Sequence, residues 1–288
     1  MHIKPLSALI GAEITGSNIE NISESEFSLI EEAFTKYQVI FFRDQDKLSP
    51  EAHISFAKRF GELHYHPAAP RPEKHPEIFV IHAHKESKFA DGNGWHSDVS
   101  CDIQPPLGSC LQLHVLPPIG GDTIFASMYS AFETLSPNMQ KFLSNMTATH
   151  ESEHLYRGRY AERGINDEGK VYPTAKHPVV RTHPKSGRQA LYVNPSFTTK
   201  INELSLSEST SLLKFLYSHQ QRPEFQVRFR WSQNAIALWD NRCTQHFALW
   251  DYWPNERKGN RVTIKGEQPF YNHTVAIESN LRLSQRHD

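Results

Sequence analysis

Eight short apolar runs occupy much of this chain beyond residue 77, and they restrict its possible folds more than any other feature. In residues 225–231 large apolar side chains alternate with polar ones, which predicts a strand with one buried and one polar face. Proline-rich connections separate many of the runs. Together they predict a mainly β fold with flanking helices (α+β), built as a two-sheet jelly roll. The predicted strands are residues 78–81, 109–116, 123–126, 179–182, 190–194, 225–231, 235–239 and 261–265.

Sequence signals for the start of a helix are fewer than the predicted strands. Capping boxes, in which a serine precedes a glutamate by three residues, occur at Ser23 and at Ser205. Apolar residues at helical spacing follow each box, and a Ser-Pro pair at residues 49–50 opens a further predicted helix. Residues 39–42 read as a short buried strand, and residues 156–172 as a long loop of the kind that often serves as a lid. Because no repeat or linker divides the chain, we expect one domain over residues 1–288.

The chemistry is concentrated in the triplet His96-Ser-Asp98. Residues two apart on an extended segment point to the same face, so the imidazole and the carboxylate are expected to lie side by side. With His246 as a third ligand from far along the chain, the set becomes two histidines and one carboxylate. That set is typical of non-haem Fe(II) oxygenases. Alone, each ligand has a plain alternative: a packed histidine, or a turn-capping aspartate.

Two arginines downstream of His246 supply anion-binding groups. Arg257 and Arg261 could form only a solvated basic patch, but Arg261 begins a strand-like run, so its guanidinium is expected to project from a sheet. Arginine binds carboxylate or sulfonate through a planar fork and remains charged when partly buried. We therefore predict one carboxylate-bearing co-substrate and one anionic substrate. Residues 120–123 are predicted to form a tight turn, whose Thr123 hydroxyl gains a role only if it lies near the metal.

Composition excludes several other classes. Lys and Arg number 31 against 32 Asp and Glu, so no overall charge predicts a nucleic-acid or membrane partner. No apolar run reaches the length of a membrane span. Three cysteines without a C-x-x-C motif favour a reducing cytoplasm over a disulfide framework. The sequence leaves the oligomeric state open, with a homo-oligomer among the options.

Ordered motifs along nearly the whole chain resemble the taurine dioxygenase family of Fe(II)/2-oxoglutarate-dependent oxygenases. They are residues 10–16 (IGAEITG), 42–45 (FRDQ), 59–67 (RFGELHYHP), 95–99 (WHSDV), 120–123 (GGDT), 177–184 (HPVVRTHP), 197–199 (FTT), 239–242 (WDNR), 244–246 (TQH) and 261–264 (RVTI).

The resemblance implies a double-stranded β-helix that uses Fe(II), 2-oxoglutarate and O2. It implies that His96, Asp98 and His246 bind the iron, and that Thr123 and Arg257 bind the distal carboxylate of 2-oxoglutarate. The implied reaction hydroxylates the carbon next to the sulfonate of taurine or a similar sulfonate, releasing sulfite and an aldehyde with succinate and CO2. The implied substrate-binding residues are His66, Val99, Phe197, Arg261, Asn93 and Tyr156. His66 is expected to donate to the substrate anion, with a charge that titrates near neutral pH.

Departures from the family pattern cluster at the substrate. Ala69 stands where the taurine enzymes carry a tyrosine, Gly92 and its neighbours replace an asparagine-rich segment, and Leu155-Tyr156 replaces a serine and a phenylalanine. The resemblance therefore does not determine which chemical group the substrate carries at the end where taurine has its amine. A carboxylate, a sulfate ester or a longer sulfonate remains an alternative substrate, and a binding protein without catalysis and a zinc hydrolase remain alternative classes.

Overall fold

The computed structural model describes residues 1–272, and strands account for most of its regular structure. The strands are β1 (His2–Pro5), β2 (Ala12–Thr15), β3 (Val39–Phe42), β4 (Leu63–His64), β5 (Ile78–Ala83), β6 (Pro106–Val115), β7 (Thr123–Ser127), β8 (Thr147–Glu151), β9 (Thr174–Pro178), β10 (Val180–Thr182), β11 (Gln189–Leu191), β12 (Thr198–Ile201), β13 (Gln226–Phe229), β14 (Ile236–Asp240), β15 (Thr244–Ala248) and β16 (Arg257–Lys265).

Helices decorate this framework. They are α1 (Glu24–Tyr37), α2 (Pro50–Lys58), α3 (Met128–Glu133), α4 (Pro137–Leu143), α5 (Glu153–Tyr156) and α6 (Leu206–Gln220), with 3-10 turns at Ile19–Asn21, Ala161–Arg163 and Pro223–Phe225. Both predicted capping boxes are present, at the starts of α1 and α6. None of the helices within residues 1–272 is long and apolar enough to cross a membrane.

Two sheets carry part of the wall of the functional site, and loops supply the rest. The larger has eight strands in the order β1-β2-β3-β14-β6-β16-β4, with β5 paired to the outer edge of β16, and the smaller has the order β13-β7-β15. A shared apolar core joins them: the ring of Phe41 on β3 stacks on Phe229 of β13 at 4.0 Å and meets Phe125 of β7 edge-on at 5.6 Å. The other face of the larger sheet packs against α1 and α2. The molecule is therefore layered as helices, large sheet and small sheet.

Several strand boundaries differ from the sequence prediction. The predicted strand 225–231 shortens to Gln226–Phe229, because Pro223 begins a 3-10 turn that contains Phe225. The predicted strand 179–182 begins one residue later, at Val180, and 190–194 gives way to Gln189–Leu191. Conversely, the last strand starts at Arg257 rather than Arg261, so both arginines lie on it. The short helix α5 ends at Tyr156, where the expected long loop begins, and the loop itself contains the 3-10 turn Ala161–Arg163.

Strands with polar or mixed composition were not predicted. β8, β12 and β15 carry threonines, histidines and a glutamine that give no clear apolar alternation. Their pairing with neighbouring strands, rather than an intrinsic preference, makes them extended. The prediction of a single domain also covers residues 273–288, which lie outside the described residues.

Candidate metal and co-substrate site

Three predicted metal ligands converge between the two sheets. His246 lies in the middle of β15, and His96 forms an isolated antiparallel bridge to it, through backbone hydrogen bonds of 2.8 and 3.1 Å. Asp98 follows in a turn rather than on a regular strand, which corrects the expected extended triplet. Even so, Oδ1 of Asp98 lies 3.6 Å from Nε2 of His96 and 3.9 Å from Nε2 of His246. The bridge between residues 96 and 246 explains how ligands 150 residues apart meet.

Protonation suits these three groups for a divalent cation. Nδ1 of His96 donates to the carbonyl of Gly94 at 2.8 Å, which leaves the lone pair of Nε2 facing Asp98. Burial, followed by the charge of His96, lowers the pKa of His246 well below its usual value, so the ring is neutral as ligation requires. Burial raises the pKa of Asp98, but Arg261 and then His246 outweigh it and hold the pKa well below the ordinary range. Two imidazole nitrogens and a carboxylate oxygen form the donor set that Fe(II) takes.

A hydrogen-bond network behind Asp98 was missed by sequence reasoning. Oδ2 of Asp98 accepts from Ser109 at 2.7 Å, and Asn241 donates to the Ser109 hydroxyl at 3.2 Å. Oδ1 of Asn241 accepts from the backbone amide of Asp98 and from Nε1 of Trp239. The motif at residues 239–242 was the available signal, but nothing in it connects Asn241 with a carboxylate 143 residues earlier.

Thr123 and Arg257 meet as expected, and Trp231 joins them. The Thr123 hydroxyl oxygen accepts from Nη2 of Arg257 at 3.3 Å and from Nε1 of Trp231 at 3.0 Å. Since a hydroxyl has two acceptor lone pairs and one donor hydrogen, both lone pairs are in use and the hydrogen remains to donate. Arg257 also donates to the carbonyl of Gly121 and is 2 % exposed. A free hydroxyl donor beside a buried guanidinium fits a carboxylate.

Arg261 lies on the same strand as Arg257, four residues on, and therefore on the same face. Its Nη1 is 2.6 Å from Oδ1 of Asp98, the oxygen that both imidazoles face. Its Nε is buried and has no hydrogen-bond partner among residues 1–272. The guanidinium is thus close to the metal-ligand set and retains an unused donor.

His66 differs from the sequence expectation in its charge. Burial, then the charge of Arg261, lowers its pKa well below the usual value, so the ring is neutral near pH 7 instead of titrating there. Nδ1 accepts from the backbone amides of Ala68 and Ala69, at 3.2 and 3.0 Å. The proton is therefore on Nε2, and His66 is a neutral donor. Its neighbour His64 takes no part, because Nε2 of His64 bonds Asp102 at 2.6 Å.

The predicted residues share one cavity of about 140 Å³. Val99 has a positive φ of 46°, which is strained for a β-branched residue and typical of a functional turn. Tyr156 and Phe197 pack with ring centroids 6.0 Å apart, and burial raises the pKa of the Tyr156 phenol well above its usual value. Ala69 is absent from the lining residues within the described chain. The predicted residues in the wall are His66, Asn93, His96, Asp98, Val99, Thr123, Tyr156, Phe197, His246, Arg257 and Arg261.

A second group of potential metal ligands, His183, Asp240 and Cys243, is buried nearby. There the carboxylate already accepts from Nε and Nη2 of Arg242 and from Nε2 of His183, and the His183 Nδ1 accepts backbone amides. Burial raises the pKa of the Cys243 thiol well above its ordinary value. Each potential ligand side chain in this group is already hydrogen-bonded within the protein, so the group is a structural network.

Comparison with known proteins agrees with this geometry. Residues 2–263 match the family described as Taurine catabolism dioxygenase TauD, TfdA family. An alpha-ketoglutarate-dependent sulfonate dioxygenase of Saccharomyces cerevisiae is 32% identical over 281 residues, covering 93% of this chain and 68% of that protein. An alpha-ketoglutarate-dependent sulfate ester dioxygenase of Pseudomonas putida is 32% identical over 300 residues, covering 99% of this chain and 95% of that protein.

Among solved structures, a taurine dioxygenase from Burkholderia xenovorans superposes with a TM-score of 0.80 at 34% identity, covering 94% of this chain and 92% of that one. The predicted jelly roll is thereby confirmed. The dioxygenase class also replaces the zinc hydrolase and the non-catalytic binding protein as readings of the site. The chain belongs to the TauD/TfdA family, and it is a dioxygenase that uses 2-oxoglutarate and O2.

Proposed function

We propose that this dioxygenase binds Fe(II) through His96, Asp98 and His246 and oxidises a small sulfonate. The enzyme would hydroxylate the carbon next to sulfur, and the hydroxylated sulfonate would break down to an aldehyde and sulfite. In the same reaction 2-oxoglutarate becomes succinate and CO2. One observation carries the proposal: the ligand set, the Thr123–Arg257 pair and the Arg261–His66 pair line the same cavity. Fe(II), when bound, supplies the activation of O2.

The chain's own residues bind and orient the two organic molecules. Arg257 and the free hydroxyl hydrogen of Thr123 hold the distal carboxylate of 2-oxoglutarate. Nε–H of Arg261 and Nε2–H of His66 donate to the substrate anion. Val99, Phe197, Asn93 and Tyr156 complete the substrate wall, while apolar neighbours such as Phe79 and Leu111 exclude water. The protein's contribution is positioning and a dry site.

A sulfate ester is the second candidate substrate. The Pseudomonas putida relative, named a sulfate ester dioxygenase, aligns with almost the whole chain. Arg261 and His66 offer donors that a sulfate and a sulfonate group accept equally well. The products differ, since a sulfate ester releases sulfate and a sulfonate releases sulfite.

The test is a substrate panel with Fe(II), 2-oxoglutarate and air. We expect succinate to form together with sulfite from a sulfonate, or with sulfate from an alkyl sulfate. Arg261→Ala should abolish this coupled turnover and leave 2-oxoglutarate affinity nearly unchanged. Lys258→Ala is the control, because residue 258 lies on the opposite face of β16 from Arg257 and Arg261. Turnover of carboxylates alone would refute the sulfonate and sulfate assignment and leave only the dioxygenase class.

We further propose a single catalytic domain in the cytoplasm. Cys101, Cys110 and Cys243 are all buried free thiols, and burial raises the pKa of Cys101 to about 12, which makes that thiol inert. These observations support a protein of a reducing compartment.

A further inference from the structure

One wall of the cavity contains a buried carboxylate that the proposed chemistry does not use. Asp91 lines the cavity, and its side chain is 7% exposed. It is the only carboxylate besides Asp98 in the wall that the described residues form. A substrate with an ammonium group would need such an acid, so the state of Asp91 bears directly on substrate choice.

Cations of the protein already surround this carboxylate. Oδ1 lies 3.4 Å from both Nε and Nη2 of Arg159 and accepts from the Tyr160 hydroxyl at 3.2 Å. Oδ2 lies 3.4 Å from Nη2 of Arg163, an ion pair without good hydrogen-bond geometry. One negative charge thus faces two positive ones. We call these three charged residues the Asp91 cluster.

Other contacts hold the two guanidinium groups in place. Arg159 lies over the ring of Phe89 at 4.0 Å and donates to the carbonyl of Ala90. Arg163 donates to the carbonyl of His82 at 3.3 Å and lies 5.5 Å from the Tyr160 ring. These contacts anchor both guanidinium groups beside Asp91.

The wall that the described residues form offers no third carboxylate to an ammonium ion. Arg159, Arg257 and Arg261 line the cavity against only two carboxylates, Asp91 and Asp98. The Asp91 Oδ2 makes no hydrogen bond, but it is buried, and the Arg163 guanidinium already lies 3.4 Å from it. Among the other wall residues, Ile81, Leu155, Phe197 and Ala248 present carbon, and Asn93, Tyr156 and Ser196 are polar but uncharged.

We propose that the Asp91 cluster selects substrates whose end away from the anion is uncharged. The preferred substrate is then an alkyl sulfonate or alkyl sulfate rather than an aminoalkyl sulfonate. This inference rests on the proposed function, and it makes Arg159 and Arg163 specificity-determining residues. Charge discriminates sharply here because the cluster is largely withdrawn from water.

The experiment compares taurine with propane-1-sulfonate, which has a methyl group in place of the ammonium. We expect the kcat/KM for propane-1-sulfonate to exceed that for taurine at least tenfold. Arg163→Gln removes one cation from Asp91 and should lower the ratio of the two kcat/KM values at least threefold. The variant should still turn over propane-1-sulfonate within twofold of the wild-type rate. That second value also shows that the variant is folded. Arg157→Gln is the matched control: it lies in the same segment and bonds Glu153 instead of Asp91, so its ratio should not move.

Taurine turned over as well as or better than propane-1-sulfonate would overturn the inference and leave the proposed function intact. An unchanged ratio in Arg163→Gln would overturn the role of the Asp91 cluster. Propyl sulfate completes the set, and its turnover with release of sulfate would support the inference for the sulfate class. If neither sulfonate nor propyl sulfate is turned over, the proposed function itself fails, and this inference with it.

Discussion

At the scale of single residues, hydrogen bonds behind Asp98 fix the orientation of its carboxylate. Asn241 shows this best: its amide accepts from the Asp98 backbone and from Trp239, and it donates to Ser109, which in turn bonds Asp98. The carboxylate is thereby held in one orientation before any metal arrives. Loss of such outer contacts typically lowers metal affinity about 10- to 100-fold.

His96→Ala and His246→Ala should each abolish Fe(II) binding and turnover, since two ligands no longer hold the ion. Asn241→Ala should weaken binding about 10- to 100-fold, because Asp98 loses its support. Titration with Fe(II) under exclusion of air measures both effects, and circular dichroism checks the fold. Wild-type affinity in either histidine variant would remove that residue from the ligand set.

Arg257→Lys should raise the 2-oxoglutarate concentration needed for half-maximal rate about ten- to a hundred-fold, corresponding to about 1.5–3 kcal/mol. A lysine ammonium carries the charge but cannot bond Gly121, Thr123 and a carboxylate together, as the guanidinium fork can. Thr123→Val should have a smaller effect in the same direction. An unchanged requirement in Arg257→Ala would move this role to another residue, with Arg261 the first to test.

At the scale of elements, β16 carries both arginines that we propose to bind anions. Gly259 lies between them on the same face, and an added Cβ would be 2.2 Å from the carbonyl oxygen of Gln112 on β6. Gly259→Ala should therefore separate the two strands locally, destabilise the protein by a few kcal/mol and weaken binding of 2-oxoglutarate and substrate together. Denaturant unfolding and 2-oxoglutarate titration measure these effects. A stable variant with normal affinities would show that β16 and β6 can separate without cost.

Helix α2 is joined to β6 by a buried histidine, and this contact predicts a pH dependence of stability. Nε2 of His53 donates to the carbonyl of Cys110 at 3.1 Å, and burial lowers the His53 pKa from 6.5 to about 4. As pH falls below about 6.5, His53 becomes protonated in the unfolded chain, whereas in the folded chain it stays neutral until about pH 4. The free energy of unfolding should fall over this window, by about 3 kcal/mol in total from this residue.

His53→Gln keeps a side-chain donor without the titration, so its unfolding free energy should fall less steeply between pH 6.5 and 4. Urea unfolding at several pH values gives the slopes. His2→Gln, at the exposed start of the chain, is the control and should behave as the wild type does. Equal slopes in His53→Gln and wild type would show that His53 is not a source of the acid sensitivity.

At the scale of the whole molecule, the residues of the proposed site come from two sheets. Thr123 and His246 belong to the small sheet, whereas Arg257 and Arg261 belong to the large one. A divalent metal with 2-oxoglutarate should therefore stabilise the folded chain, by about 2.7 kcal/mol at a hundred times the dissociation constant. Thermal unfolding with Mn(II) and 2-oxoglutarate should show a rise of several degrees. Arg257→Lys should reduce the rise and Lys258→Ala should not; an equal rise in both variants would contradict binding at this pair.

Local sequence determined the strongly patterned elements and indicated which residues form the proposed site. Capping boxes are short-range hydrogen bonds, and alternation sorts side chains onto two faces within one strand, so α1, α6 and the apolar strands could be predicted from the chain alone. The His96, Asp98 and His246 set, and the pairing of Thr123 with Arg257, could be predicted because ordered motifs resembling a known family mark those positions.

Tertiary structure alone decided the rest, because it depends on contacts between distant segments. The strands β8, β12 and β15 are extended through pairing with partners that local composition does not specify. The neutral state of His66 follows from burial and from Arg261, which lies 195 residues later in the chain. Likewise, Arg159 and Arg163 reach Asp91 only because the fold brings two segments about 70 residues apart into one wall. Burial and long-range charge are properties of the assembled fold, and they set the charge of this site.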